Sequence, residues 1–289
     1  MIVRINTLFL LIILSSALHA EVVVTYPKAR SAQDVRSNDL IELLTLSLEV
    51  TKETHGAYKL QASGDFMNEK RQRVELSKGE RLNIMWSSTS TALEESLLPI
   101  RIPLRKGLLG YRISLINKNN QDNIDRVKTL NDLRGLTIGQ GHGWGDSAIY
   151  ESNGIKVKEA DYDSLFKMVV QNRFDLFPRG INEVFDEYRE RAVKAPSLAI
   201  EENLLIVYLW PYYFFTNKKD WVLADRIETG LKKIISDGTF DKVFLRHHSV
   251  SIKKANMSKR RVLRIQNVFL PETVPVDDKS LWFDPFKEF

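Results

Sequence analysis

Two short strings in this 289-residue sequence carry residue types suited to holding an anion. The first is Gly141-His142-Gly143-Trp144-Gly145-Asp146, a glycine-rich turn directly before a helical pattern. Free N–H groups and the helix dipole favour negative charge at such a place. The glycines follow a GxGxG spacing, which differs from the dinucleotide fingerprint. Asp146 would cap the helix, and Trp144 would either stack on a ligand or cover the loop. The second string is Pro178-Arg179-Gly180, which reads as a turn just past a strand. Proline and glycine would fix the placement of Arg179, whose guanidinium suits a carboxylate or other oxyanion. The alternative is a surface arginine in service of the backbone. Tyr26 ends the first strand pattern, and Trp86 with Ser87 ends the third. Each is a candidate ligand contact, though Trp86 also continues an apolar strand and would fit a core. Arg112 lies inside an apolar strand and needs a partner, in a structural ion pair or at a cleft.

Other chemistries find less material. Cysteine is absent, which excludes disulfides, a thiol nucleophile and thiolate metal sites. None of the five histidines sits in a HExxH frame, so no metal site is expected. There is no nucleophile elbow and no cofactor motif, so no catalytic residue and no cofactor are expected. Were the chain an enzyme, Glu94 or Asp146 would be the general acid. The basic residues are dispersed among acids apart from Lys259-Arg260-Arg261, which argues against nucleic acid as a partner.

The elements that must position these residues begin after a distinct leader. Arg4 supplies a positive start, residues 8–14 a short apolar core, and residues 15–20 small residues ending at Ala20. This is the order of a secretory signal peptide, with cleavage expected before Glu21. Its apolar run is shorter than the roughly 20 residues of a spanning helix. Removing it takes away one arginine and no acid, so a formal charge of +5 becomes +4.

The remaining sequence alternates strand and helix patterns. Strands are expected at 22–25, 58–62 and 82–86, with helices at 38–53 and 66–77 between them. A second series comes next: strands at 109–116, 136–139, 155–157 and 174–177, separated by helices. Apolar strands at 204–210 and 212–215, an amphipathic helix at 219–236 and a short helix at 239–245 come last. The final forty residues read as a tail wrapped over the body. Alternation of this kind indicates α/β units with mostly parallel sheets, which bind ligands beyond the carboxyl ends of their strands.

Several strings resemble the type II periplasmic solute-binding proteins, specifically the family 3 (amino-acid-type) branch. They are Leu133-Arg134-Gly135-Leu136-Thr137-Ile138-Gly139, Asn172-Arg173-Phe174-Asp175, residues 224–231 and Asp237-Gly238-Thr239-Phe240. The resemblance spans about 22–245. It implies two α/β lobes joined by two crossing strands, with a ligand cleft between them that closes by a hinge. Lobe one would be 21–104 with 210–289, and lobe two 105–209. It also implies a periplasmic, monomeric protein with a small-molecule ligand and a membrane transporter or receptor as partner. Two departures bear on the ligand. Glu94 stands where the family carries its carboxylate-binding Arg. Pro178-Arg179-Gly180 stands near its amine-binding acid. The expected ligand is therefore small and anionic, contacted by Tyr26, Trp86, Ser87, Gly143, Trp144, Asp146 and Arg179. The competing readings are a dehydratase-like periplasmic enzyme on the same fold and a ligand sensor.

Overall fold

The computed structural model describes residues 21–31 and 34–285, so the leader lies outside the described residues. Its strands run in chain order as β1 (Val22–Tyr26), β2 (Tyr58–Ala62), β3 (Ile84–Ser88), β4 (Leu98–Ile100), β5 (Tyr111–Asn117), β6 (Thr137–Gly141), β7 (Lys156–Ala160), β8 (Phe177–Gly180), β9 (Leu198–Ile200), β10 (Leu204–Val207), β11 (Tyr212–Thr216) and β12 (Arg261–Arg264). They divide between two lobes, each with parallel and antiparallel strand pairs and helices against them.

In lobe one, β1 and β2 are parallel, and β11 lies antiparallel between β3 and β4. Period-two alternation gives β3 and β11 two apolar faces. Ile84, Trp86 and Phe214 face the core made with the Asn38–Glu49 and Trp221–Ser236 helices. Met85, Tyr213 and Phe215 face a second cluster under the Glu69–Lys78 helix. Of the leucines that predicted the first helix, Leu40, Leu43, Leu44 and Leu48 are buried and Leu46 is partly buried against the same core. The two long helices can approach closely because Gly230 has no side chain: a Cβ there would lie 2.2 Å from the Ser47 carbonyl oxygen.

In lobe two the sheet order is β12-β10-β5-β8, with β9 also on β5. The parallel pair β6-β7 joins it through a bridge between Ile138 and Leu176. The register separates two faces. Arg112 stands opposite Gly180 and Ile206, whereas Arg179 stands opposite Ile113. Opposed residues share a face and successive residues do not, so Arg112 and Arg179 emerge on opposite faces of one sheet.

Three expectations are corrected. Pro178-Arg179-Gly180 forms β8 itself rather than a turn beyond a strand. Pro178 is tolerated because β8 has a continuous ladder only on its β5 flank. The short helix expected at 239–245 continues to Ala255, since Phe244, Ile252 and Ala255 find an apolar surface on lobe two. Residues 210–289 do not all belong to lobe one. Strand β12 pairs in parallel with β10 of lobe two, and Leu263 and Ile265 enter its core. The chain therefore passes between the lobes at 105–107 and 209–211 and again along the Thr239–Ala255 helix.

Candidate functional site

The carboxyl end of β6 leads into the glycine-rich turn, β8 itself carries Arg179, and the structure brings Trp144, Asp146 and Arg179 to this end of lobe two. The Gly145–Ser152 helix starts at Trp144, whose side chain makes no capping bond. Asp146 does not cap it either. Its carboxylate turns inward and meets Arg112, with Nη2 2.7 Å from Oδ2. The Tyr208 hydroxyl donates to the same oxygen at 2.7 Å, and the Arg112 guanidinium lies 5.5 Å from the Tyr208 ring centre. Arg112 thus has the structural ion pair that its apolar strand demands.

Arg179 is enclosed on the other face and only 4% exposed. Its Nε donates to Glu187 Oε2 at 2.6 Å and its Nη2 to Glu187 Oε1 at 2.7 Å, a two-point contact. The guanidinium carbon sits 4.7 Å from the Trp144 ring centre, 5.2 Å from Phe177 and 5.9 Å from Tyr162. Tyr162 also donates to Glu187 at 2.9 Å. Trp144 packs nearly parallel to Phe177, and its ring lies over Gly141, where a Cβ would be 2.3 Å away. The tryptophan covers its own loop.

Glu183 ties the two faces together. It lies past β8 beyond the sheet's end, and its Oε2 is 3.2 Å from Arg179 Nη2 and 3.8 Å from Arg112 Nη1. The Gly180 N–H donates to the same oxygen at 3.1 Å. Burial opposes its ionisation, but Arg179, Arg112 and Arg105 outweigh that and hold the carboxyl below its usual range. Its side chain keeps 21% exposure, more than Asp39, Asp146 or Glu187.

Lobe one supplies the facing wall. Arg105, in the first crossing, grips Asp39 of the Asn38–Glu49 helix with Nε–Oδ2 2.6 Å and Nη2–Oδ1 2.8 Å. Its guanidinium also lies 5.4 Å from the Tyr212 ring centre. Trp86 is a core residue, 8% exposed, against Tyr26 and Phe214. Tyr26 is half-buried on that tryptophan. Ser87 points to the opposite face of β3, where its hydroxyl bonds to Glu69. One residue on, Ser88 takes the Trp86 face. A Cβ built on Gly145 would lie 3.9 Å from Ser88 Oγ and 2.9 Å from Trp210 Cη2, so this is where the lobes meet. Gly143 stands exposed at φ +74, with nothing within 4 Å of a Cβ.

Each of four arginines has one carboxylate as its nearest partner. Arg36 takes Asp34, Arg105 takes Asp39, Arg112 takes Asp146 and Arg179 takes Glu187. Glu183 is a fifth acid, shared by Arg179 and Arg112 at longer range than their own partners. Sequence reasoning singled out Arg179 and assigned Glu183 no ligand role. The available signal was the placement of acids four and eight positions after Arg179, on one face of the Val184–Ala192 helix and its entry. Glu94, where the family's arginine was expected, pairs with Arg101 at 2.6 Å.

No family model and no curated protein matches the sequence. Solved structures do match in shape. An ancestral arginine-binding protein bound to arginine aligns with a TM-score of 0.57 at 16% identity, over 80% of this chain and 99% of its own. A Salmonella typhimurium periplasmic binding protein of high arginine specificity aligns at 0.56 and 13% identity, over 79% and 99%. A histidine kinase sensor domain with similarity to periplasmic binding proteins aligns at 0.55 and 13%, over 80% and 97%. The chain has the two-lobe fold of the periplasmic solute-binding proteins. At such identities the likeness is one of fold, and what the cleft holds must be argued from its own residues.

Proposed function

We propose that this chain is an exported solute-binding protein that captures a small ligand between its lobes by hinge closure, without turning it over. The observation that carries the reading is the fifth acid, Glu183, which is more exposed than the other four site carboxylates that hold arginines at shorter range. With four arginines matched by four other carboxylates, Glu183 is the partly accessible, ionised group at the strand ends where such sheets take ligands. A cationic group on the ligand is its natural complement. The anionic group expected from the sequence has its place at the first N–H groups of the Gly145–Ser152 helix, beside Gly143. Arg179, held at two points by Glu187, serves the fold. The favoured ligand is therefore small and carries both charges.

On this reading the leader directs the chain to the periplasm, the mature N-terminus lies near Glu21, and the protein is a monomer that passes its ligand or its closed state to a membrane transporter or receptor. Among the described residues no helix is long and apolar enough to cross a membrane. N-terminal sequencing of the exported form tests the cleavage.

A thermal-shift screen of amino acids, polyamines, dicarboxylates and aromatic acids finds the ligand class. Calorimetry then compares wild type with Glu183→Gln. A charge-assisted contact is worth about 1.5–3 kcal/mol, so the variant should bind roughly tenfold to a hundredfold more weakly. A purely anionic ligand bound equally by both proteins would refute the assignment of Glu183.

A further inference from the structure

The chain covers nearly all of the solved neighbours while about a fifth of its own length lies outside the match. Beyond β12 the chain bonds in turn to lobe two, to the second crossing, to lobe one and to the first crossing. Gln266 is held to lobe two by a reciprocal pair with Asn153, Nδ2 to carbonyl at 2.7 Å and N–H to Oδ1 at 3.0 Å. Asn267 then donates to the Leu209 carbonyl at 3.1 Å, on the second crossing. The Phe269 carbonyl accepts from Thr91 N–H of lobe one at 3.1 Å. The segment returns to the first crossing at Lys106-Gly107. There the Phe283 N–H donates to the Lys106 carbonyl at 2.9 Å, and the Phe283 carbonyl accepts from the Tyr111 hydroxyl of lobe two at 3.2 Å.

The first crossing is conformationally unusual. Lys106 (φ 49) and Gly107 (φ +75) are consecutive left-handed residues. The Trp282 ring lies on Gly107 so closely that a Cβ there would be 2.8 Å from it, and the indole N–H is itself anchored to the Pro275 carbonyl at 2.8 Å. Hinges work by a few residues that absorb large changes in φ and ψ. A segment that bonds the backbone of both crossings and touches both lobes restrains the torsions through which the lobes would open.

We propose that residues 266–285 are a strap across the hinge that restricts how far the lobes open in the absence of ligand. The inference rests on the hinge-closing function proposed for the lobes, but its test needs no ligand. Since the chain has no cysteine, spin labels can be placed cleanly at Lys70→Cys in lobe one and Lys167→Cys in lobe two. Pulsed-EPR distances are measured on the unliganded protein, on the Trp282→Ala/Phe283→Ala double variant, and on folded protein cleaved at a protease site inserted after Leu270. The cleaved form covers the case in which the double variant fails to fold. The expected result is a narrow distribution for the strapped protein and a longer, broader one once the strap is cut or stripped of its two rings. Unchanged distances after cleavage and loss of the 271–289 fragment would overturn the strap, whatever ligand is found. Opening on cleavage in a protein that binds no solute would instead leave the strap standing and count against solute capture.

Discussion

Arg179 and Glu187 lie eight positions apart yet meet edge to edge, Nε to Oε2 at 2.6 Å and Nη2 to Oε1 at 2.7 Å, with the guanidinium laid on the Trp144 ring. Strand β8 and the Val184–Ala192 helix supply one partner each, so the pair pins the turn between them. The contact makes Arg179 a determinant of lobe-two integrity.

Removing one partner of a buried pair strands the other charge. Arg179→Ala should therefore destabilise the protein by about 3–5 kcal/mol, read by urea unfolding. Arg179→Met combined with Glu187→Leu, which strands no fully buried charge and leaves the part-exposed Glu183 to Arg112, should lose less. Wild-type stability in Arg179→Ala would show that Glu187 is satisfied elsewhere.

Acid should weaken the fold in two steps. Burial, helped by the nearby Arg105 and His247, holds His248 below the ordinary histidine value despite Asp39 at 3.2 Å. The folded protein then binds fewer protons than the unfolded chain as pH falls below about 6.5, so stability declines from there toward the folded pKa. Asp39 gives the second step. Burial resists its ionisation, but Arg105 and His248 hold its carboxyl far below the usual range. Its contribution is complete above about pH 4 and is lost below that. Urea unfolding at about pH 7.5 and about pH 5.5, on either side of the ordinary histidine value, should show a loss in wild type that shrinks in His248→Gln. An equal loss in both proteins would remove His248 from the account.

Gly230→Ala would ordinarily favour a helix by up to about 1 kcal/mol. Here the new methyl would lie 2.2 Å from the backbone oxygen of Ser47. Helix separation is fixed by packed backbone, so overpacking of about 1–3 kcal/mol should outweigh the propensity gain. The melting temperature should fall; a rise would mean that the Asn38–Glu49 helix can shift without loss.

Much of the architecture was written in local pattern. The leucines of 40–48, the alternation along β3 and β11 and the capping glycines depend on neighbours within a turn or two, so periodicity reported them. Two alternating α/β units also implied ligand binding at strand ends before any contact was known. What the pattern left open was decided by pairing between distant segments. Register put Ser87 on Glu69 and Ser88 toward lobe two, a difference of one residue that reverses the face. The opposition of Ile113 to Arg179 turned an apparent loop into β8 and placed Arg179 among aromatic rings. Pairing of β12 with β10 carried the tail back into lobe two. Glu183 gained its standing only when each arginine found another acid, because charge balance in a cleft depends on which side chains the fold brings within a few ångström of one another.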